Sequence, residues 1–239
     1  MLEISDITVR FGGVVALNAV SARFTQAVAG IIGPNGAGKT TLMNVISGFV
    51  QPASGRIDRD GQNLLALAPH RRAHWGLRRS FQKEEIAEDL TVFENVLVQI
   101  DHGRGDGSGK RAEVIRMLDL VGMADRMDKP GEALNSFERR LTDVAKCLVG
   151  SPRIVMFDEP AGGLSIDETR QLGQLIRRIH PETGAQTLVI DHDVDLIREI
   201  CAETLVLDFG KRIAFGPTAE VLDDPKVKAA YLGTEEIAT

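Results

Sequence analysis

A chain of 239 residues is long enough to bury most of its apolar surface as one large domain, or as a core domain with a lobe, without disulfides or structural metals. Apolar residues at 43% and charged residues at 26% exclude a disordered tail protein and an integral membrane protein, and no apolar run approaches the ~18 residues of a transmembrane helix. The balance of 28 basic against 34 acidic residues, a net charge of −6, argues against a nucleic-acid partner held by a broad basic face. The opening MLEISDITVR lacks the basic and apolar regions of an export signal. Cys147 and Cys201 stand apart, without metal-ligand spacing, as reduced core thiols. Composition by itself describes a soluble, intracellular, globular chain.

In chain order, Leu2, Ile4, Ile7 and Val9, and then residues 20–24, read as strands, and residues 28–32 as a short buried strand ending at glycine. A glycine-rich segment, 33–40, precedes a helix to about Gly48. Residues 55–61 predict a hairpin or strand-turn, 69–74 a short helix and 77–81 a strand. Thr91, with Glu94 three residues on, is a capping box opening a helix through about Ile100. Residues 103–109 read as a flexible loop by composition. A second helix spans 110–121, with Val114, Leu118 and Val121 on one face, and Leu141, Val144, Ala145 and Leu148 mark a third. From Arg153 strand–helix alternation returns: strand 153–158, helix 167–180, strand 188–190, helix 194–201, strands 204–208 and 212–215, and a short helical tail. The pattern predicts an α/β fold in which residues 84–150 form a helical subdomain inserted between the two parts, 1–83 and 151–239, of an α/β core.

The segment Gly33, Pro34, Asn35, Gly36, Ala37, Gly38, Lys39, Thr40 has the P-loop spacing in the P-loop context, after an apolar strand and before a helix. Its glycines let the backbone wrap phosphates closely, and successive amides at a helix start supply positive potential. Lys39 adds a point charge for the terminal phosphates, and the Thr40 hydroxyl can ligate Mg²⁺. The strand 153–158 ends in Asp158, which places a carboxylate near that metal. Glu159 follows it and can polarise an attacking water.

Together with Phe11-Gly12-Gly13, Ser80-Phe81-Gln82, the stretch from Leu90 to Leu97, and Val189-Ile190-Asp191-His192-Asp193, these motifs make the sequence resemble the ATP-binding subunits of ABC transporters. The likeness runs essentially end to end. More narrowly the chain is similar to the branched-chain amino-acid uptake subfamily, through Phe11-Gly12-Gly13 and the tail Ala230-Tyr231-Leu232-Gly233. The resemblance implies the ABC ATPase type of P-loop fold, with an antiparallel β subdomain beside the core and the helical insert. It implies ATP and Mg²⁺ at a site built from the P-loop through Thr41, with Asp158. Phe11 would stack on the adenine, Gln82 would sense the metal and the attacking water, and His192 would contact the γ-phosphate. The implied activity is ATP hydrolysis by Glu159, His192, Lys39 and Gln82, energising a membrane importer for branched-chain amino acids or a related small polar solute. The implied partners are integral membrane permease subunits, a second ATP-binding subunit and, indirectly, a solute-binding protein. The chain would then work at the cytoplasmic face of the membrane.

Two segments depart from the family pattern. The family's signature reads Leu-Ser-Gly-Gly-Gln or Leu-Ser-Tyr-Gly-Glu-Gln and caps the γ-phosphate held by the opposite subunit. Here it reads Leu134-Asn135-Ser136-Phe137-Glu138. Asn135 keeps N-cap ability, but Phe137 brings bulk to a place where backbone should approach phosphate. After Glu159, the usual Asp or Asn is Ser165. These departures favour a heterodimer in which this chain supplies an intact Walker half-site and a weakened signature. The other reading is a nucleotide-dependent dimerisation partner with little catalysis.

Overall fold

The computed structural model describes residues 1–81, 83–100 and 107–232. Alternation builds β1 (Leu2–Phe11), which buries Leu2 and Ile4 and then Ile7 and Val9, so the inward positions switch from even to odd numbers. Asp6 absorbs the switch. It has φ 51°, its amide donates to Ser21 Oγ at 2.8 Å, and the pairing with the next strand shifts between Ile4 and Ile7. Such an irregularity re-aims the later side chains without ending the strand. With β2 (Val14–Phe24), β4 (Ser54–Arg59) and β5 (Gln62–Asn63), β1 makes an antiparallel sheet ordered β2-β1-β4-β5.

The second sheet contains β3 (Val28–Ile32), β6 (Leu77–Arg79), β7 (Ile154–Asp158), β8 (Gln186–Ile190), β9 (Glu203–Asp208) and β10 (Lys211–Pro217), in the order β10-β9-β3-β8-β7-β6. All its pairings are parallel except that of the edge strand β10. Strands β3, β7 and β8 are buried at every position, as sheets covered on both faces require. Successive residues serve opposite layers. Ile154, Met156, Leu188 and Ile190 pack with β1, β2 and the helix α1 (Lys39–Ser47), whereas Val155, Phe157 and Val189 pack with the helices on the other face.

Those helices are α3 (Val92–Leu97), α4 (Gly107–Leu120), α5 (Ser136–Leu148), α6 (Ile166–Thr183) and α7 (Val194–Ile200). The short α2 (Pro69–Trp75) follows β5, and α8 (Thr218–Asp223) and α9 (Pro225–Leu232) close the described chain. One apolar core runs without a break from α3, α4 and α5 into β3, β7 and β8. None of the described helices is long and apolar enough to cross a membrane.

Several element boundaries differ from the sequence expectation, among them β2, which starts at Val14 rather than near residue 20, and three further cases. The capping box at Thr91 is present, yet α3 ends at Leu97, because the amides of Gln99 and Ile100 bond back to Val96 and Leu97 and tighten the chain into turns. The expected loop at 103–109 is cut short, since α4 starts at Gly107; residues 103–106 lie outside the described residues, as does His102. Strand β6 stops at Arg79, although the Ser80 amide still bonds Met156 O.

Two buried polar arrangements brace this frame. Arg72 is 1% exposed, and its guanidinium donates to Leu67 O at 2.9 Å, Val45 O at 2.6 Å and Ile46 O at 2.7 Å, capping the C-terminal carbonyls of α1. Residues 83–88 are laced to α5 and α3: Arg140 pairs with Glu84 at 2.7 Å, Lys146 donates to Glu85 O, and Asn95 exchanges hydrogen bonds with Ala87. Asp143 lies buried in this lacing with Lys146 3.8 Å away.

Candidate active site

Strand β3 delivers the chain to the C-terminal edge of the sheet, where open α/β folds collect ligands. Glycine is required at once. A Cβ on Gly33 (φ 152°) would stand 2.1 Å from Leu207 O, so no other residue lets the loop start against β9. Gly38 (φ 103°) is the N-cap of α1, and a Cβ there would meet Leu17 Cδ2 at 2.7 Å and Ala16 O at 2.9 Å. The loop is closed by Ala37 N donating to Pro34 O and pinned from outside by Gly210 N donating to Ala37 O. No side chain caps α1, so its first amides keep their donors for an anion.

Residues 35–41, Ala16 and Glu159 line one cavity of about 240 Å³. The structure therefore gathers Asn35, Gly36, Ala37, Gly38, Lys39, Thr40, Thr41 and Glu159 in one place. Lys39 is buried, and its ammonium donates to Gly33 O at 2.7 Å and Pro34 O at 3.0 Å. Burial pushes its pKa down, while Glu159 and Asp158 pull it back up. Glu159 follows β7 with φ 52° and donates its amide to Ile190 O at 2.7 Å, which fixes this unusual backbone against β8. Asp158 is 3% exposed. Its Oδ2 accepts from Arg79 Nη2 at 2.8 Å, and its Oδ1 is buried with no hydrogen-bond partner among the described residues.

Other candidates stand apart from that cavity. Phe11 is 52% exposed at the end of β1. His192 is exposed and lies on a separate groove of about 520 Å³ lined also by residues 161–164. That groove is also lined by Asp191, which is fully buried, accepts from Ala161 N at 3.2 Å and Asp193 N at 3.0 Å, and lies 3.6 Å from His192 Nδ1. Sequence reading missed Asp191 and Arg79. Their signals were a carboxylate directly before the candidate histidine and a basic residue ending a buried strand. Gln82 lies outside the described residues, as do Gly233 and the side chains of Tyr231 and Leu232.

The signature segment forms the start of α5. Asn135 is its N-cap, accepting from Glu138 N at 2.8 Å, while the Glu138 carboxylate accepts from Asn135 N at 3.0 Å. Burial raises the Glu138 pKa, but Lys129, the Asn135 amide and Arg126 together hold it below the usual range. Asn135 and Ser136 are exposed. The Phe137 side chain packs against the apolar core and lines a cavity with Leu120, Val121, Leu141 and Leu175, so part of its bulk is taken up within the helices. Ser165 likewise caps α6 in a capping box with Glu168.

Comparison with known proteins places these features. Residues 17–162 match the ABC transporter family, and residues 211–237 match the branched-chain amino acid ATP-binding cassette transporters. The chain is 34% identical to the high-affinity branched-chain amino acid transport ATP-binding protein BraF of Pseudomonas aeruginosa, and 33% identical to its counterpart LivG of Escherichia coli, over 98% of each chain. Among solved structures, it is similar to the ADP conformation of MJ1267, an ATP-binding cassette of an ABC transporter, with TM-score 0.88, 25% identity and 98% of each chain covered.

Proposed function

The chain belongs to the ABC transporter family, and on that premise we propose that it is the ATP-binding and ATP-hydrolysing subunit of an importer for branched-chain amino acids. The carrying observation is the single cavity that unites the phosphate loop, Lys39, Thr40 and Glu159, with Asp158 adjoining it in the chain. ATP would place its phosphates on the loop amides and the α1 N-terminus, with Phe11 offering its exposed face to the adenine. Lys39 would exchange its two carbonyl partners for terminal phosphate oxygens. Glu159 would accept the proton of the attacking water, a role that contributes roughly 10²–10⁴-fold. His192 and Gln82 would hold the γ-phosphate and that water in line. The donor set also fits Mg²⁺, because the buried Oδ1 of Asp158, without a hydrogen-bond partner among the described residues, is a hard oxygen. Thr40, Asp158 and Gln82 would hold the ion. When bound, Mg²⁺ neutralises charge on the β- and γ-phosphate oxygens.

The proposed partners are permease subunits docked on the segment from about Lys83 to Leu97, a second ATP-binding subunit and, through the permease, a solute-binding protein. This puts the chain at the cytoplasmic face of the membrane. The changed signature at Asn135 and Phe137, with Ser165, supports a heterodimer in which one composite site turns over and the other is weakened. Co-expression tests it: turnover is expected to rise with the second subunit present, and strong turnover by the isolated chain would overturn the heterodimer. The function itself is tested in proteoliposomes containing the permease and binding protein. ATP should drive leucine, isoleucine or valine uptake, and Glu159→Gln should cut turnover at least about 100-fold while keeping nucleotide binding. Turnover without uptake of any of the three refutes the importer, and undiminished turnover in the variant removes Glu159 from the chemistry.

A further inference from the structure

We propose that Arg79 is a positioning residue for the divalent-cation site: it holds Asp158 by one oxygen so that the other is presented to the metal. The inference rests on the reading of Asp158 as a metal ligand given above. Arg79 ends β6, and its register partner Met156 lies two residues before Asp158 on β7. Its side chain is 7% exposed. Nη2 donates to Asp158 Oδ2 at 2.8 Å, while Nη1 reaches the other way to Asn44 Oδ1 at 2.6 Å and Ser47 Oγ at 3.2 Å, both on α1. The same guanidinium lies 5.2 Å from the centre of the Phe81 ring. One rigid planar group thus ties the strand carrying the acidic pair to the helix that begins at Lys39 and Thr40, and it does so directly before the segment that leads to Gln82.

The bonding pattern separates this role from a simple buried ion pair. An arginine that serves only to neutralise a buried carboxylate is best placed fork to fork, satisfying both oxygens. Here the fork is split between Asp158 and α1, and Asp158 Oδ1 is left buried without a partner among the described residues. A free, desolvated carboxylate oxygen of fixed direction beside a phosphate cavity suits a hard cation. Lysine cannot reproduce the arrangement fully, since a point-like ammonium does not bridge two partners in one plane as guanidinium does.

The experiment titrates Mn²⁺ into the full chain bearing a non-hydrolysable ATP analogue and reads free Mn²⁺ by paramagnetic resonance. Analogue binding in chelator is measured alongside. Residues that orient metal ligands typically change affinity 10–100-fold when lost. Arg79→Gln is therefore expected to weaken Mn²⁺ binding at least about tenfold, Arg79→Lys to recover part of the loss, and metal-free analogue binding to stay within about twofold. Mn²⁺ binding by Arg79→Gln within about twofold of the parent, or tighter, overturns the proposal. Asp158→Asn is run in parallel. If it too leaves Mn²⁺ binding unchanged, the reading of the metal site fails and this inference falls with it; if it alone weakens binding, only the role of Arg79 fails. Should Arg79→Gln not fold, Asn44→Ala removes one of the two α1 anchors and is expected to weaken Mn²⁺ binding about threefold, an unchanged value again counting against the proposal.

Discussion

Replacing Arg72 by methionine tests whether a buried cation with no carboxylate partner among the described residues secures the nucleotide-loop helix. Methionine keeps much of the aliphatic volume and removes three donors, the bonds to Leu67 O, Val45 O and Ile46 O. Each such charge-assisted bond contributes about 1.5–3 kcal/mol. The guanidinium's own desolvation, which pushes its pKa down, offsets several kcal/mol of that sum. Val45 O keeps the Gly48 amide, whereas Ile46 O loses its guanidinium donor, and a buried carbonyl left unsatisfied costs about 1–3 kcal/mol unless water reaches it. The net expectation is a loss of about 3 kcal/mol, a fall in Tm of roughly 6–12 °C for a chain of this size. Urea denaturation followed by circular dichroism, with an unchanged m-value, gives the difference directly. A loss below about 1 kcal/mol would refute the reasoning, because it would mean that the three bonds are no better than those the same groups make with water.

Asp143 gives a pH signature. Burial pushes its carboxyl up to about 6, against the opposing pull of Lys146 and Arg140, with Glu84 and Glu85 adding to the rise. The folded state therefore binds a proton before the unfolded state does, so stability should fall as pH rises from about 4 to about 6, by up to about 3 kcal/mol. Asp143→Asn should remove that slope in a pH series of urea titrations; an unchanged slope assigns it elsewhere. Phe137→Ala should cost about 1–2 kcal/mol through lost packing of this partly buried ring against the apolar core, yet leave analogue binding to the chain's own loop unchanged by fluorescence titration. Lys39→Ala should weaken nucleotide binding at least about tenfold in the same titration, through loss of its charge beside the phosphates; retained affinity would show that the loop amides alone suffice.

What was legible in the sequence is what is local in the chain. The phosphate loop, its flanking strand and helix, and the pair Asp158 and Glu159 each follow from a few consecutive residues, and the capping box at Thr91 and the N-cap at Asn135 close within one turn. Arg79 and Asp191 were not legible, because their meaning lies in distant partners: Asn44 and Asp158 for the first, Ala161 for the second. Gly107–Gly109 looked like loop by composition, but packing of α4 on α3 and α5 overrides glycine's weak helix propensity. Phe137 looked like an intrusion on phosphate because nothing in its neighbourhood announces the apolar bed that α4 and α6 provide. The switch at Asp6 was hidden for a similar reason, since it needs Ser21 across the sheet.

The order of the six-stranded sheet has a bearing on biosynthesis. Strand β3, which leads into the phosphate loop, is flanked by β8 and β9, whose residues begin at Gln186 and Glu203. A ribosome therefore makes this apolar strand first of the three and supplies the first of its neighbours only after about 150 further residues. Until then Val28–Ile32 is an unpaired hydrophobic segment, the kind that chaperones hold and that aggregates when they do not. A truncated translation product should accordingly lack an assembled loop and fail to retain nucleotide, although every residue of the loop itself has been made.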